Sequence, residues 1–116
     1  LINDTDIFLD LRTDDFENQR CLPIKLFYYA GLGRPVIYSD LKAIRKEVAV
    51  EKFGFLVKPG DAKHIAQLIK NYLSNSPLYQ QHCENARDII EKEYNWKKIE
   101  NNFISFLNRV FEKDKI

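Results

Sequence analysis

The residues best placed to do chemistry begin at Lys25. It follows Pro23 and Ile24 and leads an apolar, aromatic segment, Ile24 to Leu32, which Gly33 stops. Proline just inside the start and glycine past the end mark a helix. A helix N-terminus offers free backbone N–H groups and the positive end of a dipole, so it suits a phosphate, and Lys25 would add a full charge there. A lysine in a first turn opposes the dipole; it needs a local anion or snorkels to water. Other polar residues point to less. Cys21 precedes the helix start, where a thiolate would be stabilised, but no resolving cysteine lies nearby and it reads as a structural thiol. Asp14-Asp15 belongs to a charge run that reads as a solvated loop rather than a metal site. His64, in a first helical turn, and His82, in a polar part of a later helix, are both expected on the surface. No spacing supports a zinc site or a serine–histidine–acid triad.

These residues need elements to hold them. Ile7-Phe8-Leu9-Asp10-Leu11 has strand length, and the polar stretch Arg12 to Arg20 reads as a loop. Pro35-Val36-Ile37-Tyr38 is a second strand. Ser39 and Asp40 are positioned to cap a helix with Leu41, Ile44 and Val48 on one face. Gly54-Phe55-Leu56-Val57 is a third strand, closed by Pro59-Gly60. Asp61 caps a helix carrying Ile65, Leu68, Ile69 and Tyr72 on one face. Ser76-Pro77 signals another helix, with Ala86, Ile89 and Ile90 buried. Asn95 caps the last, with Trp96, Ile99, Phe103, Phe106, Leu107 and Val110 along one face. Strands alternating with helices imply βαβ crossovers and a parallel sheet of about three strands flanked by helices, a Rossmann-like α/β arrangement. In such a sheet ligands bind outside the carboxyl ends of the strands. Here those ends are the loop after Leu11, the turn at Ser39-Asp40 and the turn at Lys58-Pro59-Gly60.

Composition sets the outer limits. The 116 residues allow one domain. Hydrophobic residues at 45% and charged residues at 30% are ordinary for a globular chain. Lys and Arg number 18 against 17 acids, a net charge of +1, without the footprint of a general nucleic-acid binder. The two cysteines are too few for a disulfide scaffold and favour a reducing compartment. No apolar run reaches the ~20 residues of a membrane span, and no signal peptide opens the chain. The chain has no methionine. With so few strands for a parallel sheet, it is expected to be a single partial domain, residues 1–116, of a longer protein.

The run from Leu22 to Asp40, LPIKLFYYAGLGRPVIYSD, resembles the donor-site segment of GT-B glycosyltransferases of the large retaining group called group 1, or family 4. Gly54 to Asp61, GFLVKPGD, is similar to a turn of that family. Asn85-Ala86-Arg87 and Glu93-Tyr94-Asn95-Trp96 are similar to its closing helices. The likeness covers nearly the whole chain from Ile7. It implies a two-domain enzyme whose C-terminal domain binds a nucleotide-sugar donor and whose N-terminal domain binds the acceptor. This chain would be the later part of the C-terminal domain. The implied reaction moves a sugar from a nucleotide-diphosphate donor to a glycan or lipid-linked acceptor. It uses no metal and no cofactor beyond the nucleotide-sugar substrate, since dipoles and basic residues stabilise the departing diphosphate. The donor-binding candidates are Arg20, Leu22, Pro23, Ile24, Lys25, Leu26, Tyr28 and Ser39; no catalytic residue is assigned.

The family carries two glutamates on the helix after the first loop, the second on the ribose hydroxyls. Their places fall at Arg20 and Tyr28, neither acidic. Glu17 replaces the first only if the loop is longer. Tyr28 offers one hydroxyl rather than a bidentate carboxylate. The departure leaves open a degenerate nucleotide-sugar-binding or protein-interaction module. A nucleotide-sugar epimerase is another alternative, and a receiver-like signalling domain ranks last because no acid pair clusters at the end of a first strand. A cytoplasmic protein is expected; nothing in these residues forms a basic amphipathic anchor, so peripheral membrane association of the parent would need parts outside this sequence. The long terminal apolar stripe predicts self-association of the isolated chain.

Overall fold

A computed structural model of the chain describes residues 5–21 and 24–114. Among them, strands β1 (Phe8–Asp10), β2 (Val36–Ser39) and β3 (Gly54–Val57) form a parallel sheet in the order β1-β2-β3. Helices α1 (Lys25–Gly31), α2 (Lys42–Glu47), α3 (Ala62–Ser74), α4 (Ser76–Lys92) and α5 (Trp96–Asp114) complete the chain. Short 3-10 turns at Asn18–Arg20 and Val50–Lys52 punctuate it. The α/β expectation is met.

Alternation along β2 divides the core. Val36 and Tyr38 face α1, α2 and the second half of α4, in a cluster with Phe8, Leu26, Ile44, Phe53 and Ile89. Ile37 faces the other way, with Val57, Leu68 and Tyr72 under α3. A sheet buried on both faces needs this apolar continuity, and Val36, Ile37 and Tyr38 are all fully buried. The two crossovers share one face, as successive same-handed connections in one direction require, leaving the other face to α3.

Boundaries move by a residue or two, and some caps move with them. Gly33 ends α1 as expected: at φ 69° it occupies the left-handed region, and its N–H donates to the Ala30 carbonyl at 2.9 Å. Asp61 and Asn95 cap α3 and α5 through the N–H groups of His64 and Lys98. At α4, Asn75 rather than Ser76 is the cap, accepting from Leu78 N–H at 3.1 Å, so Ser76 starts the helix and Pro77 lies in its first turn. At α2 neither Ser39 nor Asp40 caps. The Lys42 N–H donates instead to the Gln19 side-chain carbonyl at 2.8 Å, across 23 positions of sequence.

One further expectation fails. His82 is buried, because α4 turns this position toward Phe55 and Tyr72. The α5 stripe, from which self-association is expected, is indeed exposed: Trp96 is 74% exposed and Phe103 60%. The helix extends from the body, and the molecule measures 60 × 32 × 24 Å.

Candidate functional site

The three turns at the carboxyl ends of the strands meet in one open cleft of about 300 Å³. Its walls are Leu11, Arg12 and Thr13 after β1, Ser39 at the end of β2, Val57, Lys58 and Gly60 after β3, and Ala62 and Ile65 of α3. The lining holds two cations and no carboxylate. This is the position the strand-end rule selects.

Ser39 has a structural part here that its residue type alone did not reveal. It is buried, and its hydroxyl brackets the Arg12 backbone, accepting from the Arg12 N–H at 2.7 Å and donating to the Arg12 carbonyl at 3.1 Å. The hydroxyl thus joins the segment leaving β1 to the end of β2 rather than capping α2. The Arg12 side chain bends back along β1, and its Nε donates to Asp10 Oδ1 at 3.1 Å. Burial disfavours the charge on Arg12, but the neighbouring groups, Asp10 first and then Tyr38 and Cys21, together outweigh this and raise the guanidinium pKa above its usual value. Asp10 pairs with Tyr38 in the sheet register. Among the described residues, Asp10 Oδ2 and the Tyr38 hydroxyl are both buried without a hydrogen-bond partner. Burial, with the Asp10 charge second, pushes the Tyr38 hydroxyl up to about 12, so it stays protonated.

The acidic loop that leads to α1 has its own architecture. Asp15 accepts from the Thr13 hydroxyl at 2.6 Å and from the Asn18 N–H at 2.8 Å, which hold its carboxyl below the usual range, the hydroxyl first. Asp14 accepts from the Gln19 amide. These carboxylates thus organise the turn that presents Gln19 to α2. Among the described residues no group of three or more His, Cys, Asp or Glu is placed to hold a metal.

The candidate donor residues spread over this region unevenly. Ser39 lines the cleft. Lys25 lies in the first turn of α1, exposed, with Ile24 just before it; neither is among the cleft-lining residues. Leu26 is wholly buried in the core, so only its backbone is left for a ligand. Tyr28 is 64% exposed on the outer side of α1. Arg20 stacks on the Phe16 ring at 3.6 Å and donates to the Phe16 carbonyl at 3.2 Å. Leu22 and Pro23 lie outside the described residues. Arg12 and Lys58 were not singled out from the sequence. The signal was available, since each follows directly on a strand's last apolar residues, but a charged loop residue is common, and only the closed sheet brings these two to one cleft.

The fold and the strand-end cleft define a Rossmann-like α/β domain. A solved structure, the sucrose-phosphate synthase of Thermosynechococcus elongatus, shares it with a TM-score of 0.68 and 24% sequence identity over 79% of this chain. The chain spans 23% of that protein's length. No protein-family model and no curated protein sequence matches it.

Proposed function

We propose that this chain is the donor-binding part of a glycosyltransferase that moves a sugar from a nucleotide-diphosphate donor to a glycan or lipid-linked acceptor. The observation that carries the reading is the strand-end cleft, lined by cations without acids, on a fold shared with an enzyme named as a sucrose-phosphate synthase. The resemblance of the Leu22 to Asp40 run to the group 1, family 4 donor segment supports the same reading. The chain is then the later part of the C-terminal domain, and the acceptor is held by an N-terminal domain outside this sequence. Exposed Leu9 and Leu11 beside the outer edge of β1, and the uncovered face of α5, support further structure against both. Lys25, the backbone from Leu22 to Leu26, Tyr28, Ser39 and Arg20 are the proposed donor contacts. Departure of the diphosphate proceeds without a metal, aided by backbone dipoles and basic side chains. The protein is cytoplasmic, reaching a membrane only peripherally.

Calorimetric titration of the full-length protein with a panel of nucleoside diphosphates tests this. One nucleotide is expected to bind, more weakly by about 1–3 kcal/mol in Lys25→Ala, the scale of a charge-assisted contact. Failure of every nucleotide would overturn the reading. It would favour a degenerate interaction module, which the exposed Tyr28 and the Phe16-engaged Arg20 at the two glutamate positions support. In that module Tyr28→Glu restores an acceptor pair for ribose hydroxyls and is expected to raise nucleotide affinity.

A further inference from the structure

At the amino ends of the strands, away from the cleft already described, a hollow of about 250 Å³ lies between the entry to β1 and the junction of α3 with α4. Asp6, Ile7, Tyr72, Leu73, Ser76 and Tyr79 line it. The Tyr72 and Tyr79 rings stand at 84° with centroids 5.9 Å apart, so together they form a corner. Both hydroxyls are engaged. The Tyr72 hydroxyl lies 2.7 Å from His82 Nδ1, and the Tyr79 hydroxyl donates to the Asp6 carbonyl at 2.9 Å. These bonds hold the rings in place, so little freedom remains to be lost on binding. What the two tyrosines leave to a ligand is aromatic surface, whose faces carry the negative side of a quadrupole.

The charge in the lining has one sign. Asp6 is an exposed carboxylate, and no lysine, arginine or histidine lines the hollow. The helix ends do not change that sign: α3 finishes here and α4 starts here, so a negative and a positive dipole end oppose each other. Ile7 and Leu73 add aliphatic wall. Aromatic faces, one carboxylate and aliphatic wall together complement a cation wrapped in methyl groups. An anion meets no base here, and an uncharged apolar molecule makes no use of Asp6. The volume lies below the roughly 300–1,000 Å³ of sites for drug-sized ligands, which limits the occupant to a small ion. We propose that this hollow binds a small free alkylammonium ion, with the Tyr72–Tyr79 corner against its methyl groups and Asp6 as its counter-charge. The site is independent of the donor reading, being at the opposite end of the sheet, and either stands if the other falls.

The probe is choline, titrated into the full-length protein at low ionic strength and followed by saturation-transfer NMR. Saturable binding is expected. The uncharged isostere of choline, in which a tert-butyl group replaces the trimethylammonium, is expected to bind about tenfold more weakly. Asp6→Asn and Tyr79→Leu are each expected to weaken choline about tenfold, whereas Tyr79→Phe keeps the ring and stays within about twofold of the wild type. Asp6 is exposed and meets Tyr79 through its backbone carbonyl, so Asp6→Asn leaves the fold intact and keeps the test valid should Tyr79→Leu misfold. No choline binding overturns the proposal. Equal binding of the isostere also overturns it, because the hollow would then be merely apolar. Choline binding unchanged in Asp6→Asn removes the counter-charge and sinks the site, and an equal loss in Tyr79→Phe and Tyr79→Leu removes the aromatic face.

Discussion

His82 Nδ1 lies 2.7 Å from the Tyr72 hydroxyl, and the Phe55 ring packs against both. Burial lowers the histidine pKa because a charged ring there would lose its hydration. The native ring therefore resists protonation at a pH where the unfolded ring accepts it. Stability from this group is complete above the ordinary histidine value of 6.5 and falls as the pH drops below it, until the native ring also protonates. Urea unfolding of the wild type between about pH 7 and pH 5.5 is expected to show this slope, and His82→Phe to flatten it. The same variant leaves the Tyr72 hydroxyl alone in the core and is expected to cost about 1–3 kcal/mol at neutral pH. A slope of equal size in His82→Phe would remove the histidine as its source. The surrounding sequence, Gln80-Gln81-His82-Cys83-Glu84, is polar enough to read as surface, and it was the packing of this turn of α4 on Phe55 and Tyr72 that decided otherwise.

At the scale of elements, the β2–β3 junction depends on one glycine. Gly54 pairs with Val36, and a Cβ at Gly54 would lie 2.0 Å from the Val36 carbonyl oxygen. That atom is backbone in the central strand and has nowhere to retreat. Gly54→Ala is expected to destabilise the protein at or beyond the upper end of the roughly 1–3 kcal/mol typical of overpacking, read as a lower denaturation midpoint. A loss below about 0.5 kcal/mol, the level of a surface change, would show that the strands can separate locally. The helical faces of α2 and α3 were readable from spacing: Leu41, Ile44 and Val48 are buried together, as are Leu68 and Tyr72. Local periodicity sets which side of a helix seeks the core, so it survives changes elsewhere. Caps were less readable. Asp61 works through a neighbour three residues on, whereas α2 is capped by Gln19 from a distant loop, which no local window can contain.

For the whole molecule, α5 poses the largest question. Trp96, Phe103, Phe106 and Val110 recur at helical spacing and remain exposed, so the helix owes little stability to the body. Phe103→Glu with Phe106→Glu is expected to leave the unfolding midpoint of the sheet and its helices within about ±0.5 kcal/mol. Leu68→Ala, in the core under α3, is expected to cost about 2–5 kcal/mol. The isolated chain is expected to associate through this stripe, giving a concentration-dependent sedimentation coefficient that the double glutamate variant abolishes; a wild type that sediments as a monomer at every concentration would count against it. Residue order by itself determined the alternation of strands and helices, the parallel sheet, the buried helix faces, and which three turns lie at the carboxyl ends of the strands. Those follow from local periodicity and chain connectivity. Only tertiary structure decided that Arg12, Ser39 and Lys58 share one cleft, that Asp10 pairs with Arg12, that His82 is core and that the α5 stripe is not. Each depends on which segments, far apart in sequence, come to lie within a few ångströms, and the pattern of any one segment does not contain that.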